Sequence, residues 1–535
     1  MFYKIINLSI FKKLRYKIYK DSWRNNRKLA KNKKIVKLRE LFFNLQNCRV
    51  YSKKINNSLW RKNFPDHRLY LQQFFFQKLN FNKVFTTLLY FYYEKSIKVI
   101  FPLPTKWSKK LKEVDSLQIG VNSFLSNFLF IIYIAFTALK NLFESIILVL
   151  NVIYKKVFKI YLLDNSTNQK AVICNFPTRK LNLDNEFSEF NINSWLNKNR
   201  KIEKIIFIDQ NIKKNTYIKK NILTKNLINL FIKKIDLINF IYDFIKILIY
   251  VFIDLLLLRY GSILMLKNLT ENLLVKNSDT SNYTFFFIWT GGIERPLWTY
   301  SIVNEPEILN LSILGQINHN KKNKLCFDFE GWSITTWKKY NVWTNECKDY
   351  LLSRLTNKSE IDVVGPIFSH DNKYEIKLPE NIISIFAYEN TRWSIDITSI
   401  QQYQLLDVLH LFKFYKNILN IVENKNVFLA IKRKKEYDLN TEKKYIRNFY
   451  EKLKKNPKVI YVDPKTSPYK LIENSKCVIS LPFTSTSVAA SYLGKKSIYY
   501  DPINQINLDD PTSSGIKIIN KKEKLDDWIT EQLKI

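Results

Sequence analysis

Cysteine and histidine are few and scattered in this chain of 535 residues. Cys48, Cys174, Cys326, Cys347 and Cys477 form no CxxC pair, and His67, His319, His370 and His410 are as widely spread. That distribution excludes a disulfide framework and a zinc site and fits a reducing cytosol, so no structural metal is expected. Acidic residues are also in deficit. Asp and Glu number 47 against 86 Lys and Arg, a formal net charge of +39 that asks for an anionic partner or surface. No zinc-finger, helix-turn-helix or RNA-recognition signature accompanies that charge, and the lysines are strewn among Asn and Ile. Nucleic acid is therefore not expected as the partner, and an anionic membrane surface suits the charge better. Lys12, Lys13 and Arg15 precede any long apolar run, so no cleavable signal peptide is evident. No internal repeat is visible, and glycine is scarce at nine residues.

What is present divides the chain into three parts. Residues 1–95 form a basic region in which Ile35, Leu38, Leu41, Phe42 and Leu45 recur at helical spacing. A solvated helical region is the plain expectation there, and attachment to anionic lipid the sharper one. Ser116 to Leu139 then carries no charge, and Ser145 to Tyr154 continues the apolar character after Lys140 and Glu144. Lys109, Lys110 and Lys112 precede these segments, and Lys155, Lys156 and Lys159 follow them. Basic residues on both flanks place both ends on the cytoplasmic side, which favours a shallow hairpin or in-plane helices over one crossing. Leu237 to Leu258 contains Asp243, Lys246 and Asp254, charges that argue against spanning, and reads as an amphipathic or buried helix.

Short apolar runs with polar ends suit buried strands. Lys170–Asn175, Lys204–Asp209 and Tyr283–Trp289 are of this kind, and Thr290-Gly-Gly-Ile-Glu-Arg-Pro296 follows the last. In so glycine-poor a chain, Gly291-Gly292 after a strand marks a tight turn where backbone can approach a ligand. Glu294 and Arg295 would sit at the mouth of that lobe. Six tryptophans fall between Trp289 and Trp393. Trp can offer a sugar its face, but most of the six are expected in core and interlobe packing. Tyr340–Trp343 reads as a strand, Glu346–Leu352 as a helix, and Glu360–Val364 as a further strand before Gly365-Pro366.

Regular strand–helix alternation follows, which implies a parallel doubly wound sheet. Its strands are Asn381–Ala387, Val427–Ile431, Val459–Asp463, Cys477–Leu481 and Ser497–Tyr500, and its helices Gln401–Val422, Glu442–Leu453, Val488–Leu493 and Lys521–Leu533. After Leu481, Pro482 stops the strand and Thr484, Ser485, Thr486 and Ser487 lead into a helix that Gly494 closes. A helix start with hydroxyl side chains, at the carboxyl end of a parallel strand, suits a phosphate or carboxylate. Ser and Thr are equally ordinary helix caps.

Pro482-Phe-Thr-Ser485, with Gly494-Lys-Lys-Ser-Ile-Tyr-Tyr-Asp501-Pro downstream, resembles the signature of the polysaccharide biosynthesis PFTS-motif proteins. The resemblance extends more weakly from about Phe285 to Asp501. It implies a GT-B-like glycosyltransferase of bacterial surface glycans, with two Rossmann-like α/β lobes. On that reading residues 96–350 form the acceptor lobe, with hydrophobic helices near 116–160 and 237–258, and 351–535 the donor lobe, with Pro366 to Pro379 as linker. The donor is a nucleotide-sugar used as co-substrate, with no other cofactor. Thr484, Ser485, Thr486, Ser487, Lys432, Arg433, Arg392 and Asp501 are the donor-binding candidates. Lys432–Lys435 also fits a solvated charge run, and Asp501 also fits the start of a turn with Pro502. No strand-ending Asp-x-Asp is evident, so metal-independent transfer is expected, with basic side chains and a helix start stabilising the leaving nucleotide. The base comes from the amino lobe in such enzymes, with Glu294 first and Asp209 second, and Gly291, Gly292 and Arg295 line the cleft. The acceptor is a glycan or lipid-linked, the protein cytoplasmic and peripheral or monotopic at the inner membrane. A polyol-phosphate transferase using a CDP-activated donor and a non-catalytic scaffold are the alternatives.

Overall fold

The computed structural model describes Tyr70 and residues 123–160, 170–174, 192–200, 202, 204–208, 216–218, 221–224, 228–257, 259–288, 295–311, 335–355, 357–368, 378–387, 408–433, 444–464, 466–504 and 506–533. Two sheets organise them. In the first, β1 (Lys170–Cys174), β2 (Lys204–Ile208), β3 (Thr216–Ile218), β4 (Asn221–Thr224), β5 (Tyr283–Ile288), β6 (Glu307–Leu309), β7 (Lys339–Val342) and β8 (Glu360–Val363) lie in the order β3-β4-β2-β1-β5-β6-β7-β8. Only the β3–β4 pair is antiparallel. All five residues of β1 are buried, as a strand covered on both faces requires. Phe285, Phe287, Trp298 and Trp337 pack together on one face, with ring centroids 4.8–5.7 Å apart. Trp298, Trp337 and Trp343 are thus core residues. Trp289, Trp332 and Trp393 lie outside the described residues.

The second sheet holds β9 (Ile382–Phe386), β10 (Phe428–Lys432), β11 (Val459–Val462), β12 (Cys477–Ser480), β13 (Lys496–Tyr500) and β14 (Lys517–Ile519), all parallel, in the order β11-β10-β9-β12-β13-β14. Strand pleating divides its apolar residues between two helical layers. Leu429, Ile431 and Ile479 face a core built from Val408–Val422, Lys444–Lys454 and Lys522–Leu533. Ala430 and Val478 face the opposite core, with Leu471, Val488 and Ala489. The architecture is the expected one of two Rossmann-like α/β lobes.

Strand pairing sets where the chain passes from one sheet to the other, a span that contains Pro366 to Pro379. β8 pairs with β7 in the first sheet, so the chain crosses over between Val363 and Ile382. The helix Asn345–Leu352 and β8, which a division at 350 and 351 splits or assigns to the donor lobe, belong with the first sheet. Pairing decides this because Glu360 to Val363 extends a ladder that β7 already started. The lobes meet through Thr344 Oγ1 and Ser514 Oγ at 3.0 Å and through the stacked rings of Phe368 and Tyr469, with centroids 3.4 Å apart.

The hydrophobic region departs from expectation in one respect. Ser123–Val157 is one continuous 35-residue helix, α1, rather than two segments interrupted at Lys140 and Glu144. Those two residues stand one turn apart and pair at 3.5 Å, and Lys267 reaches Glu144 at 3.3 Å, so both charges are accommodated on the helix surface. After Ile192–Arg200 (α2) and Ile228–Phe231 (α3) come α4, Leu237–Leu256, and α5, Gly261–Lys276. Asp236 caps α4 by accepting from Asn239 N at 3.1 Å. Asp254 is wholly buried in α4, where Ser262 Oγ donates to it and Arg259 approaches to 4.0 Å. The amino-terminal basic region, apart from Tyr70, lies outside the described residues.

Candidate functional site

In chain order the strands of the second sheet stand third, second, first, fourth, fifth, sixth across it. The direction of winding therefore reverses between β9 and β12. Loops that leave the carboxyl ends of these two strands part in opposite directions and open a crevice, the place where doubly wound sheets bind ligands. Leu481-Pro-Phe-Thr484 is the loop that leaves β12, and Ser485–Tyr492 (α10 once 408–422, 444–454 and 468–473 are counted as α7 to α9, and 345–352 as α6) is the helix it starts.

The turn is held in shape by its own side chains. Phe483 has φ 63°, a left-handed conformation that costs a non-glycine residue about 1 kcal/mol. Its buried ring packs on Tyr499, centroids 5.8 Å apart, and burial of the ring offsets the backbone cost. Tyr499 Oη donates to Thr484 O at 3.1 Å, and Thr484 Oγ1 donates to Leu481 O at 2.7 Å. Ser480 Oγ and Thr486 Oγ1 lie 3.1 Å apart. Thr484 makes no side-chain cap on α10. Thr484, Ser485 and Thr486 are half-buried at the helix start, where main-chain N–H groups and the helix dipole favour an anion.

Other donor-lobe candidates are placed differently. Ser487 is wholly buried and donates to Ile498 O at 3.2 Å, which fastens α10 to β13. Asp501 is also wholly buried. One carboxylate oxygen accepts from Ile503 N at 3.2 Å, the other from Ile506 N at 2.8 Å, and His410 Nε2 lies 3.6 Å away. These bonds fix the turn after β13. Arg433 is buried with its guanidinium 4.4 Å from the Tyr450 ring centroid, so it packs the helix behind β10. Lys432 ends β10, two strands from β12, and is half-buried with Nζ donating to Arg433 O at 3.1 Å. Of the donor candidates, the structure thus brings Thr484, Ser485 and Thr486 together at the crevice, with Lys432 on the same carboxyl edge. Arg392 lies outside the described residues.

The first sheet repeats the reversal, between β1 and β5. Asp209 follows β2, and Gly291, Gly292 and Glu294 follow β5, but these four lie outside the described residues. Arg295 does not line a cleft. It is buried, pairs with Glu305 at 2.7 Å, donates to Thr299 and to Thr336 O, and stacks 4.2 Å from the Tyr300 centroid. Phe483, Tyr499 and Tyr492 were not among the candidates. Phe483 and Tyr499 carried a signal, since both stand within the motif and its downstream strand.

The profile of the polysaccharide biosynthesis PFTS motif proteins matches residues 242–529, from α4 to the final helix. The chain belongs to that family. In this PFTS motif protein the naming residues Pro482 to Ser485 are the turn at the sheet's reversal point. No curated protein matches the sequence significantly. Among solved structures, UDP-GlcNAc 2-epimerase from Methanocaldococcus jannaschii in complex with UDP-GlcNAc and UDP is 14% identical, with TM-score 0.36 over 69% of this chain and 93% of that one. The glycotransferase of kitacinnamycin is 10% identical, with TM-score 0.33 over 68% and 90%. A TarM mutant from S. aureus, in complex with fondaparinux, alpha-GlcNAc-glycerol and UDP, is 12% identical, with TM-score 0.31 over 49% and 52%. Likeness at this level adds nothing to what the strand order itself shows.

Proposed function

We propose that this PFTS motif protein is a glycosyltransferase that moves a sugar from a nucleotide-sugar to a glycan or lipid-linked acceptor during synthesis of a bacterial surface polysaccharide. The observation that carries the reading is the position of the PFTS turn at the point where the winding of the second sheet reverses. There the start of α10, with the hydroxyls of Ser485 and Thr486, binds the donor's phosphate. As the bond from the anomeric carbon to the phosphate oxygen breaks, negative charge grows on the leaving nucleotide. The helix start and Lys432 stabilise it there without a metal ion. Glu294 accepts the proton of the acceptor hydroxyl, and Asp209 is the second candidate for that role.

The protein acts on the cytoplasmic face of the inner membrane, where a lipid-linked acceptor would be found. The test is transfer to membrane-extracted acceptor from a panel of nucleotide-sugars, followed as released nucleotide. Loss of at least 100-fold in rate for both Glu294→Gln and Ser485→Ala/Thr486→Ala is expected, the scale of a general base or an oxyanion donor. Release that neither variant alters would overturn the site assignment, and no release above background from any nucleotide-sugar would favour the scaffold reading.

A further inference from the structure

Among the described residues, α1 and α4 present an apolar surface that sugar transfer leaves unexplained. α5 is buried along most of its length, with Leu264, Met265, Leu266 and Leu274 inaccessible, and α1 and α4 pack upon it. Each leaves an apolar face exposed. On α4, Ile238, Tyr242, Ile245, Ile249, Phe252 and Leu256 repeat every three or four residues on one exposed stripe. On α1, Leu139, Phe143, Ile146, Leu150, Tyr154 and Val157 do the same, and Phe128 and Ile131 are exposed nearer its start. A water-soluble monomer rarely exposes a contiguous apolar surface beyond a few hundred Å².

We infer that these two faces seat in the surface of an anionic bilayer, with α1 lying in the membrane plane rather than crossing it. By length and composition α1 could cross, since Asn127–Val157 is long and apolar enough to span a bilayer. Its packing rules against that. Phe130, Val149 and Val152 are buried at points along its length. Asn141 Nδ2 donates to Leu264 O at 2.6 Å, Lys155 Nζ to Asn229 Oδ1 at 2.5 Å and Lys156 Nζ to Lys233 O at 2.9 Å. A crossing helix would have to give up all of these and would leave polar groups of the lobe uncovered.

Charge selects the occupant. Acidic residues of this layer are engaged by its own cations: Glu144 by Lys140 and Lys267, Asp243 by Lys276, and Asp279 by Lys234. Lys159 and Lys246 are exposed beside the apolar faces. The chain's most basic stretch, residues 1–62 with nineteen Lys and Arg against Asp21 and Glu40, comes shortly before Tyr70. Tyr70 is buried against Phe130 of α1 and accepts from Asn268 of α5 at 2.9 Å. Apolar faces with this charge fit acyl chains beneath anionic headgroups. Self-pairing through the same faces would add a second set of the same lysines.

This inference names the surface through which the proposed enzyme would reach a lipid-linked acceptor, and its test is separable from that reading. Full-length protein is sedimented with phosphatidylglycerol-rich vesicles and with phosphatidylcholine vesicles. Binding to the first, weakened at least tenfold in Ile146→Glu/Leu150→Glu and in Ile245→Glu/Ile249→Glu, is expected. Leu352→Glu, at an exposed apolar residue away from these helices, should bind as before. Variants must keep the parent melting temperature and nucleotide response, so a lost fold or donor site is told apart from a lost membrane surface. Fluorophores on Phe128→Cys, Ile146→Cys and Tyr154→Cys should report one shallow depth by nitroxide-lipid quenching. Equal binding to both vesicles, a depth that peaks mid-helix, or a dimer that these substitutions dissociate would each overturn the inference.

Discussion

Tyr492 Oη donates to the main-chain carbonyl of Trp343 at 3.0 Å, which ties the last residue of the PFTS helix to the first sheet. Its ring also lies 3.4 Å from where a Cβ on Gly365 would stand, and Gly365, at φ 76°, follows the last strand of that sheet. The helix whose start faces the donor crevice thus ends on the crossover between lobes. Tyr492→Phe keeps the ring and removes the hydrogen bond, so stability should fall by about 0.5–1.5 kcal/mol. Gly365→Ala meets an unfavourable backbone as well as the ring and should cost about 1 kcal/mol or more. Urea denaturation measures both, and an unchanged midpoint in both would remove this link from the account.

Adjacent hydroxyls of the motif should separate into two classes. Ser487→Ala deletes a buried donor to Ile498 O and should destabilise by about 1–2 kcal/mol. Ser485→Ala, at a half-buried position, should leave the melting temperature within a degree or two of the parent and weaken nucleotide binding instead. Calorimetry with and without nucleotide distinguishes them, and the reverse pattern would contradict the assignment.

Arg295 should behave as a stability residue. Lysine keeps the charge but loses the fork that serves Thr299, Thr336 and Glu305 and the stack on Tyr300. Arg295→Lys should lower stability by about 1–3 kcal/mol without changing the KM for acceptor. A raised KM at unchanged stability would return Arg295 to the cleft.

The acid side of the stability profile carries one identifiable contribution. The hydrogen bond from Lys234, reinforced by Ser281, holds the Asp279 carboxyl well below the usual carboxylate range. A depressed folded pKa stabilises the fold fully above the unfolded value of about 4, and that contribution declines below it and is gone only once pH has fallen through the depressed folded value. The pair is exposed, so the effect should stay under about 1 kcal/mol. Asp279→Asn should be slightly less stable than the parent at pH 7, with the gap narrowing as pH falls below about 4. A difference that grows in acid would refute the assignment.

Alternation of short apolar runs was enough to locate five of the six strands of the second sheet, because parallel strands buried on both faces must be continuously apolar, but not the three-residue β14. The PFTS turn was legible for the same reason, as hydroxyls between a buried strand and a small-residue helix. Sequence could not show which hydroxyl turns inward, since Ser485 and Ser487 differ only in helical phase by two residues. Asp501 and Arg295 looked like site residues because charge after a strand is ambiguous until its partners are placed. The continuity of α1 through Lys140 and Glu144 depended on Lys267, which stands more than a hundred residues away.

The central claim is that the crevice beside β12 holds the donor nucleotide. Thermal stability of the purified protein with CMP, CDP, UDP, GDP and dTDP, beside Ser485→Ala/Thr486→Ala, tests it most directly. Ligand at 100 times its dissociation constant stabilises by about 2.7 kcal/mol, which moves the melting temperature visibly. A shift with one nucleotide is expected, one that the double variant abolishes while keeping the parent's unliganded melting temperature. A shift that survives the double variant, or none with any nucleotide, would contradict it.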